Sequence, residues 1–139
     1  MSSPYSFLIS RISDRILSAE KIKLDLFRIS IEQYNFLNVM KIIRELNYQL
    51  RGISIHDIDR SNGNSIELQY ILSTIFDARD FQVIICMSIK SEKEHYKLDS
   101  LVSYFPNADI FENKILMHEK IVFNPINREN EKIMKTRNI

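Results

Sequence analysis

Three histidines and a group of acids are the residues in this sequence whose types could support acid–base chemistry. His56 is followed directly by Asp57 and, after one intervening residue, by Asp59. An imidazole beside a carboxylate is a pairing that general acid–base catalysis uses. In a strand, successive side chains point to opposite faces, so the two aspartates would share one face and His56 would point to the other. We therefore interpret the group as support for a strand end and turn, not as a catalytic dyad.

The remaining histidines and the single cysteine do not extend this group into a reactive site. His95 lies in a charged stretch that is most simply surface, and His118 has no second ligand at the spacing of a helical metal site. Cys86 lies within the apolar run Val83–Met87, where a buried and unreactive thiol is expected. We expect no catalytic residue and no metal site in this chain.

Composition excludes several further classes of function. The 139 residues include 19 Lys+Arg and 18 Asp+Glu, a formal charge of +1, whereas a nucleic-acid binder normally shows a clear basic excess. The two glycines, Gly52 and Gly63, are isolated and cannot form a phosphate-binding loop. One cysteine excludes a disulfide framework. No apolar stretch approaches the ~20 residues that span a bilayer. We expect no cofactor in this chain and no nucleic acid as a partner.

Hydrophobic periodicity predicts the elements that would position these residues. Residues 1–20 are predicted to form an N-terminal arm or helix, and residues 22–29 alternate as one strand with a bulge. Ser30 and Gln33 form a capping box that would begin a helix over about 31–48. The apolar face of that helix is predicted to be core: Phe36, Leu37, Met40, Ile43, Leu46 and Leu50.

A β-hairpin is the clearest local signal. Residues 51–60 and 65–75 flank the turn Ser61-Asn62-Gly63-Asn64, and Asn-Gly accepts the positive φ angles of a tight hairpin turn. A third strand over 80–90 has an apolar centre on both faces, which is typical of a central strand covered on both sides. We predict structural support of the hairpin by Asp59, Asn62, Gly63 and Tyr70.

The last third of the chain is predicted to be helical. Residues 92–104 show a helical pattern that Pro106 would end, and a second helix is expected over about 108–118, with Asn107 as its cap. The element order predicts an α+β fold, a small, mostly antiparallel sheet of about four strands covered by helices. We expect a single domain over 21–123 and a polar, mobile tail over 124–139.

Four segments share an order of motifs with a known family. Ile53–Asp59, Ile66–Ser73 and Val83–Ile89 resemble three consecutive strands of the 30-kDa subunit of respiratory complex I, the NADH-quinone oxidoreductase. Leu101–Ile121 is similar to the pattern that follows those strands, S-I-x-x-x-F-P-x-A-N-W-x-E-R-E-x-x-D-x-F-G-I. The agreeing residues in this segment are Phe105, Pro106, Ala108, Glu112 and Ile121, whereas Ile110, Asn113, Lys114, Met117 and Lys120 stand where the pattern has Trp, Arg, Glu, Asp and Gly.

The resemblance implies a non-catalytic structural subunit without a cofactor. It would brace the large quinone-site (49-kDa type) subunit, beside iron–sulfur subunits, in the hydrophilic arm of a complex I-type NADH:quinone oxidoreductase. The equivalent small subunit of a membrane-bound energy-converting hydrogenase and a stand-alone protein–protein interaction domain are the alternatives.

The resemblance also implies a location and an interface. Contact with a membrane would occur only through the complex, on the matrix side of the mitochondrial inner membrane or the cytoplasmic face of a bacterial membrane. The interface would lie over 106–121, with lost charges at 113, 114 and 117 replaced by other contacts. We expect Phe105, Pro106, Phe111, Glu112 and Ile121 to form it.

Overall fold

A five-stranded sheet with helices on one face forms the body of the protein. The computed structural model describes residues 3–59, 65–91, 95–116 and 120–124. Short 3₁₀ turns precede β1 and α2, and no helix in these ranges is long and apolar enough to cross a membrane. The elements in chain order are α1 (Pro4–Ile12), β1 (Ser18–Lys23), β2 (Leu26–Ile31), α2 (Phe36–Glu45), β3 (Gln49–Asp59), β4 (Ser65–Phe76), β5 (Arg79–Lys90), β6 (Tyr96–Leu98), α3 (Ala108–Ile115) and β7 (Ile121–Phe123).

The main sheet has the strand order β1-β2-β5-β4-β3. Its pairs are antiparallel except for β2 with β5, which run parallel. This confirms the predicted α+β class and its mostly antiparallel sheet, with five strands where about four were expected. The extra strand arises because residues 22–29 are not one strand: the chain reverses at Leu24-Asp25, so that Lys23 pairs with Leu26. The out-of-phase apolar residues therefore belong to a second strand.

The predicted central strand is central, but it is covered on one face. Side chains of β5 alternate, and its residues 81, 83, 85, 87 and 89 are buried in the core beneath the helices. Ile84 and Cys86 point to the opposite face, where no helix in the described part of the chain packs. The described helices thus cover one face, while Cys86 on the other face is also buried, so the apolar centre of β5 reflects burial by its neighbouring strands as well as by helices.

The predicted capping box is also wrong, for a non-local reason. Ser30 lies in β2 and pairs with Cys86 in the parallel ladder, so the strand continues through the proposed helix start. After a 3₁₀ turn, α2 begins at Phe36. Residue Asn47, with φ of 65°, follows its end. Phe36, Val39, Met40 and Ile43 form its buried face, while Leu50 belongs to β3.

Of the helix predicted over 92–104, residues 92–94 lie outside the described residues, and the described part from 95 onward contains the strand β6 and a turn instead. Tyr96 and Leu98 of β6 are buried and Lys97 between them is exposed, a period-two pattern too short to outweigh the helical one in sequence. The strand forms because β6 pairs in parallel with β7, 25 residues later in the register Tyr96↔Ile121. The following helix is confirmed as α3, although Asn107 makes no capping bond with its side chain.

The predicted hairpin is confirmed as β3 and β4, joined in antiparallel register. Its turn, with Asn62 and Gly63, lies outside the described residues, as do the side chain of Asp59 and the tail from 125 onward. Tyr70 of β4 is buried, with its ring centre 4.9 Å from that of Phe36. Leu8 and Ile12 of α1 belong to the same core, and the boundary predicted at residue 20 falls within β1.

Candidate protein-interaction surface

A serine and a histidine meet on the uncovered face of the sheet without forming a catalytic site. The Ser54 Oγ lies 3.2 Å from the Nε2 of His56, and Glu67 stands directly opposite His56 on β4. The Glu67 carboxylate, however, accepts a bond from Gln69, and no ion pair within 4.0 Å joins it to His56 among the described side chains. Because His56 is exposed and Glu67 is not bonded to it, the pair has neither the orienting acid nor the enclosed site that nucleophilic catalysis requires.

The other candidates for chemistry are equally unsuited to it. Cys86 is 3% exposed, and burial, reinforced by the charge of Glu67, raises the pKa of its thiol. A raised pKa keeps the sulfur protonated and unreactive. Across the described ranges, no group of three or more His, Cys, Asp or Glu side chains is placed to hold a metal ion.

Glu112, the strongest interface candidate in the sequence, points into the protein. Its side chain is 5% exposed. One carboxylate oxygen accepts a hydrogen bond from the Ser100 hydroxyl and the other accepts one from the Leu101 backbone N–H, both at 2.7 Å. Burial raises the pKa of Glu112, and the two bonds offset part of that effect. Glu112 therefore connects α3 to the loop that follows β6.

Further side-chain bonds to backbone attach the segment 97–107 to β3, to α2 and to the 3₁₀ turn that precedes α2. Arg44 donates to the Tyr104 carbonyl at 3.0 Å, and Asn107 donates to the Leu50 carbonyl at 2.9 Å. Gln33 likewise donates to the carbonyl of Lys97 at 2.8 Å. Backbone carbonyls that face away from their own element are satisfied in this way. The segment is thus a fixed layer of the domain, and its inner residues are core residues.

The predicted interface residues divide into an inner and an outer set. Phe105, Glu112 and Ile121 are buried, whereas Pro106 is exposed and Phe111 is half-buried. Their role in an interface stays a prediction. Large apolar side chains that the prediction did not include lie on the outside of the same segment: Ile110 is 58% exposed and Leu116 is 46% exposed. We call Pro106, Ile110, Phe111 and Leu116 the α3 outer surface.

A second apolar feature, which sequence reasoning missed, lies at one end of the sheet. A groove of about 680 Å³ opens between α1, β1 and the β4–β5 turn. In that turn Asp77 and Ala78 both have positive φ, as a two-residue hairpin requires. The turn places Phe76 beside Phe81, and the Arg79 guanidinium lies 5.9 Å from the Phe81 ring centre. The feature of the sequence that could have indicated this groove is the apolar pair Ile75-Phe76 directly before a turn.

Comparisons with known proteins identify the fold. No protein-family model matches the sequence, and no curated protein matches it. Among solved structures, the chain is similar to a protein in the structure of the membrane-bound sulfane sulfur reductase, an archaeal respiratory membrane complex, with a TM-score of 0.74 and 13% identity over 89% of this chain and 70% of that chain.

It is also similar to a trypsin-resistant fragment (1–134) of Nqo5, with a TM-score of 0.70 and 14% identity over 90% of this chain and 100% of the fragment. At such identities the likeness is one of fold. The α+β domain of this chain, with its mostly antiparallel five-stranded sheet, has the fold of the complex I protein Nqo5.

Proposed function

We propose that this chain is a non-catalytic structural subunit of a respiratory-type membrane complex, and specifically of the hydrophilic arm of a complex I-type NADH:quinone oxidoreductase. In this role it braces the large quinone-site subunit beside iron–sulfur subunits. It is a peripheral subunit on the matrix side of the mitochondrial inner membrane or the cytoplasmic face of a bacterial membrane. The observation that carries the proposal is the shared fold with Nqo5 and with a protein of an archaeal respiratory membrane complex.

The α3 outer surface supports the same proposal. It lies within the segment, Leu101–Ile121, whose sequence resembles the pattern of the complex I 30-kDa subunit. Ile110 occupies the position of the pattern's tryptophan, and its side chain is exposed rather than buried. Exposed apolar side chains such as these are available for contact with another protein. The interface we propose therefore consists of outward residues of this segment, with Glu112 and Phe105 holding the segment in place from within.

The buried residues of this segment explain how it can have a structural role although its sequence departs from the pattern of the complex I 30-kDa subunit. Glu112 agrees with the pattern and is buried, as are Phe105 and Ala108. The substituted positions 110, 113, 114 and 120 are all exposed. Apart from the exposed Pro106, the residues that agree are therefore buried and maintain the layer, and the described positions that differ alter the surface it presents. A changed surface is compatible with a changed neighbour in the complex.

Native purification of the tagged full-length chain in mild detergent, followed by mass spectrometry, tests the proposal. Recovery with a large quinone-site subunit and iron–sulfur subunits is the expected result. A chain recovered alone, or as a symmetric oligomer of itself, would contradict the proposal, because a bracing subunit should have an interface of standard size or larger.

The alternative within the same class is the equivalent subunit of another membrane-bound respiratory complex, such as an energy-converting hydrogenase. The similarity to a protein in the archaeal sulfane sulfur reductase structure favours this alternative. The same purification separates the two, because recovery with a nickel-containing large subunit would identify a hydrogenase. A stand-alone interaction domain would be recovered with soluble proteins only.

A further inference from the structure

The helical layer leaves one strip of the inner sheet face open, at β1. Paired residues on neighbouring strands point to the same face, so Ala19, opposite the fully buried Ile29, and Lys21, opposite Phe27, point to the face that carries the core. Both are nevertheless exposed. Tyr5 of α1 packs on Phe27 of β2, and no helix in the described ranges buries β1. The groove of about 680 Å³ is the space left between α1 and this strand.

The lining of the groove is mainly apolar. It includes the nearly buried ring of Phe81, the partly buried side chains of Ile9, Phe27 and Phe76, and Leu24, which is 57% exposed. Small-molecule sites have volumes of about 300–1,000 Å³ and are lined by apolar and aromatic side chains with a few polar groups. The groove has the size and lining of such a site.

The polar groups at the groove favour an anion. Lys21 and Arg79 line it, against the single carboxylate of Asp77. Among the described side chains, no carboxylate lies within 4.0 Å of the Lys21 or Arg79 nitrogens. Asp80 pairs with Ile75 and points, like it, to the opposite face of the sheet. The lining therefore carries a net positive charge, and its two cations are not neutralised by ion pairs.

Arg79 is placed to hold the anion beside the apolar floor. Its guanidinium lies 5.9 Å from the ring centre of Phe81, and a cation over an aromatic ring is held there electrostatically. Phe76 stands directly opposite Arg79 on β4. A guanidinium can donate two parallel hydrogen bonds to one carboxylate. A carboxylate bound by Arg79 would thus have an attached apolar chain against Phe76 and Phe81.

We propose that this groove binds a single-chain fatty acid, with its carboxylate at Arg79 and its acyl chain along the aromatic floor towards Phe27 and Leu24. Lys21 adds a second positive charge on the β1 side. The inference goes beyond the proposed function, since none of these residues belongs to the α3 outer surface.

The volume and the polarity of the groove select this ligand. If each carbon takes roughly 30 Å³, the share of one water molecule, a chain of about 16 carbons fills on the order of 500 Å³. A lipid with two such chains exceeds the groove. A more polar ligand finds few partners, because the Ser6 hydroxyl is already bonded to the Ser3 carbonyl and the Tyr5 hydroxyl to the Gln82 carbonyl.

Isothermal titration calorimetry of the full-length chain tests the headgroup. Laurate and dodecyltrimethylammonium have chains of the same length and opposite charge, and both are used below their micelle concentrations. We expect one laurate per chain and binding of the cationic amphiphile that is weaker by at least on the order of tenfold. Arg79→Gln should weaken laurate binding by on the order of tenfold. Arg28→Gln is the control and should leave it unchanged, because Arg28 is exposed and pairs with Ile84 on the opposite face.

Two neighbouring residues of β1 test the place of binding. Ala19→Trp puts a large ring into the groove, whereas Ser18→Trp puts the same ring on the opposite face of the strand. Both positions are exposed, so both variants should keep the circular dichroism spectrum of the unmodified chain. Laurate binding should be lost in Ala19→Trp and kept in Ser18→Trp.

Several results would overturn the inference: no binding of laurate, equal binding of the two amphiphiles, or laurate binding that Ala19→Trp leaves intact. If laurate does not bind and Ala19→Trp instead removes a partner subunit or dissociates a dimer, the groove belongs to a protein contact and the inference is wrong. The proposed function is tested separately by native purification, and the calorimetric results do not bear on it.

Discussion

The carboxylate of Glu112 and the backbone N–H of Leu101 are joined by a buried hydrogen bond of 2.7 Å. The bond connects α3 to the turn that follows β6, and the Ser100 hydroxyl binds the second carboxylate oxygen. Glu112, which agrees with the family pattern, thus makes these hydrogen bonds to residues of its own chain. Its importance for any partner would be indirect, through the position of the α3 outer surface.

Glu112→Ala should destabilise the fold. The substitution leaves the Leu101 N–H without its acceptor in the interior, and an unsatisfied buried donor costs about 1–3 kcal/mol. The midpoint of urea unfolding measures the effect. Asp109→Ala, in the same helix but exposed, is the control and should change the midpoint little. Equal midpoints for the two variants would show that the Glu112 bonds do not contribute to stability.

The stability contributed by Glu112 should depend on pH. Burial, the largest cause, raises its folded-state pKa above the ordinary value of 4.5. A raised carboxyl pKa means that the folded state binds the proton more tightly, so the contribution is fully present below pH 4.5 and is lost as pH rises through the folded-state pKa. Glu112→Gln should remove this dependence. Unfolding free energies of both proteins across pH 4 to 8 provide the measurement, and parallel curves would contradict the prediction.

Two buried tyrosines should respond oppositely to loss of the hydroxyl. The Tyr5 hydroxyl donates to the Gln82 carbonyl at 2.8 Å, whereas the Tyr48 hydroxyl is buried without a hydrogen-bond partner in the described part of the protein. Tyr5→Phe should therefore destabilise by about 1 kcal/mol, and Tyr48→Phe should be neutral or stabilising, since it removes an unsatisfied polar group. Thermal melting of the two variants gives the comparison. A large loss of stability in Tyr48→Phe would indicate that its hydroxyl has a partner.

The α3 outer surface should be required for assembly but not for folding. Ile110→Asp places a charge at a side chain that is already exposed, so the circular dichroism spectrum and melting temperature should stay close to those of the unmodified chain. Recovery of partner subunits in native purification should fall, because a charge buried in an apolar contact is costly. Ile75→Asp is the matched control, since Ile75 is also exposed but lies on the uncovered sheet face. Equal recovery with both variants would place the interface elsewhere.

Local patterns of apolar and turn residues in the sequence were sufficient to predict part of the fold. The β3–β4 hairpin, the strand β5 and the helix α3 were predicted near their observed bounds because each is specified by a short run of apolar residues bounded by turn or cap residues. The buried state of Tyr70 followed from the alternation in β4, and that of Cys86 from its place in the apolar run Val83–Met87. The resemblance of three strands and one following segment to the 30-kDa protein of complex I also indicated the fold that the structural comparison confirmed.

Tertiary structure decided the remaining features. Ser30 has the local chemistry of a helix cap, yet pairing of β2 with β5 keeps it in a strand. Tyr96 and Leu98 lie in a helical pattern, yet pairing with β7 makes them strand residues. In both cases contacts with residues far away in sequence outweigh a local preference. The same holds for Glu112, because sequence identifies it as distinctive, while only the packing of α3 on the sheet determines that its carboxylate faces the loop and that Ile110 faces outward.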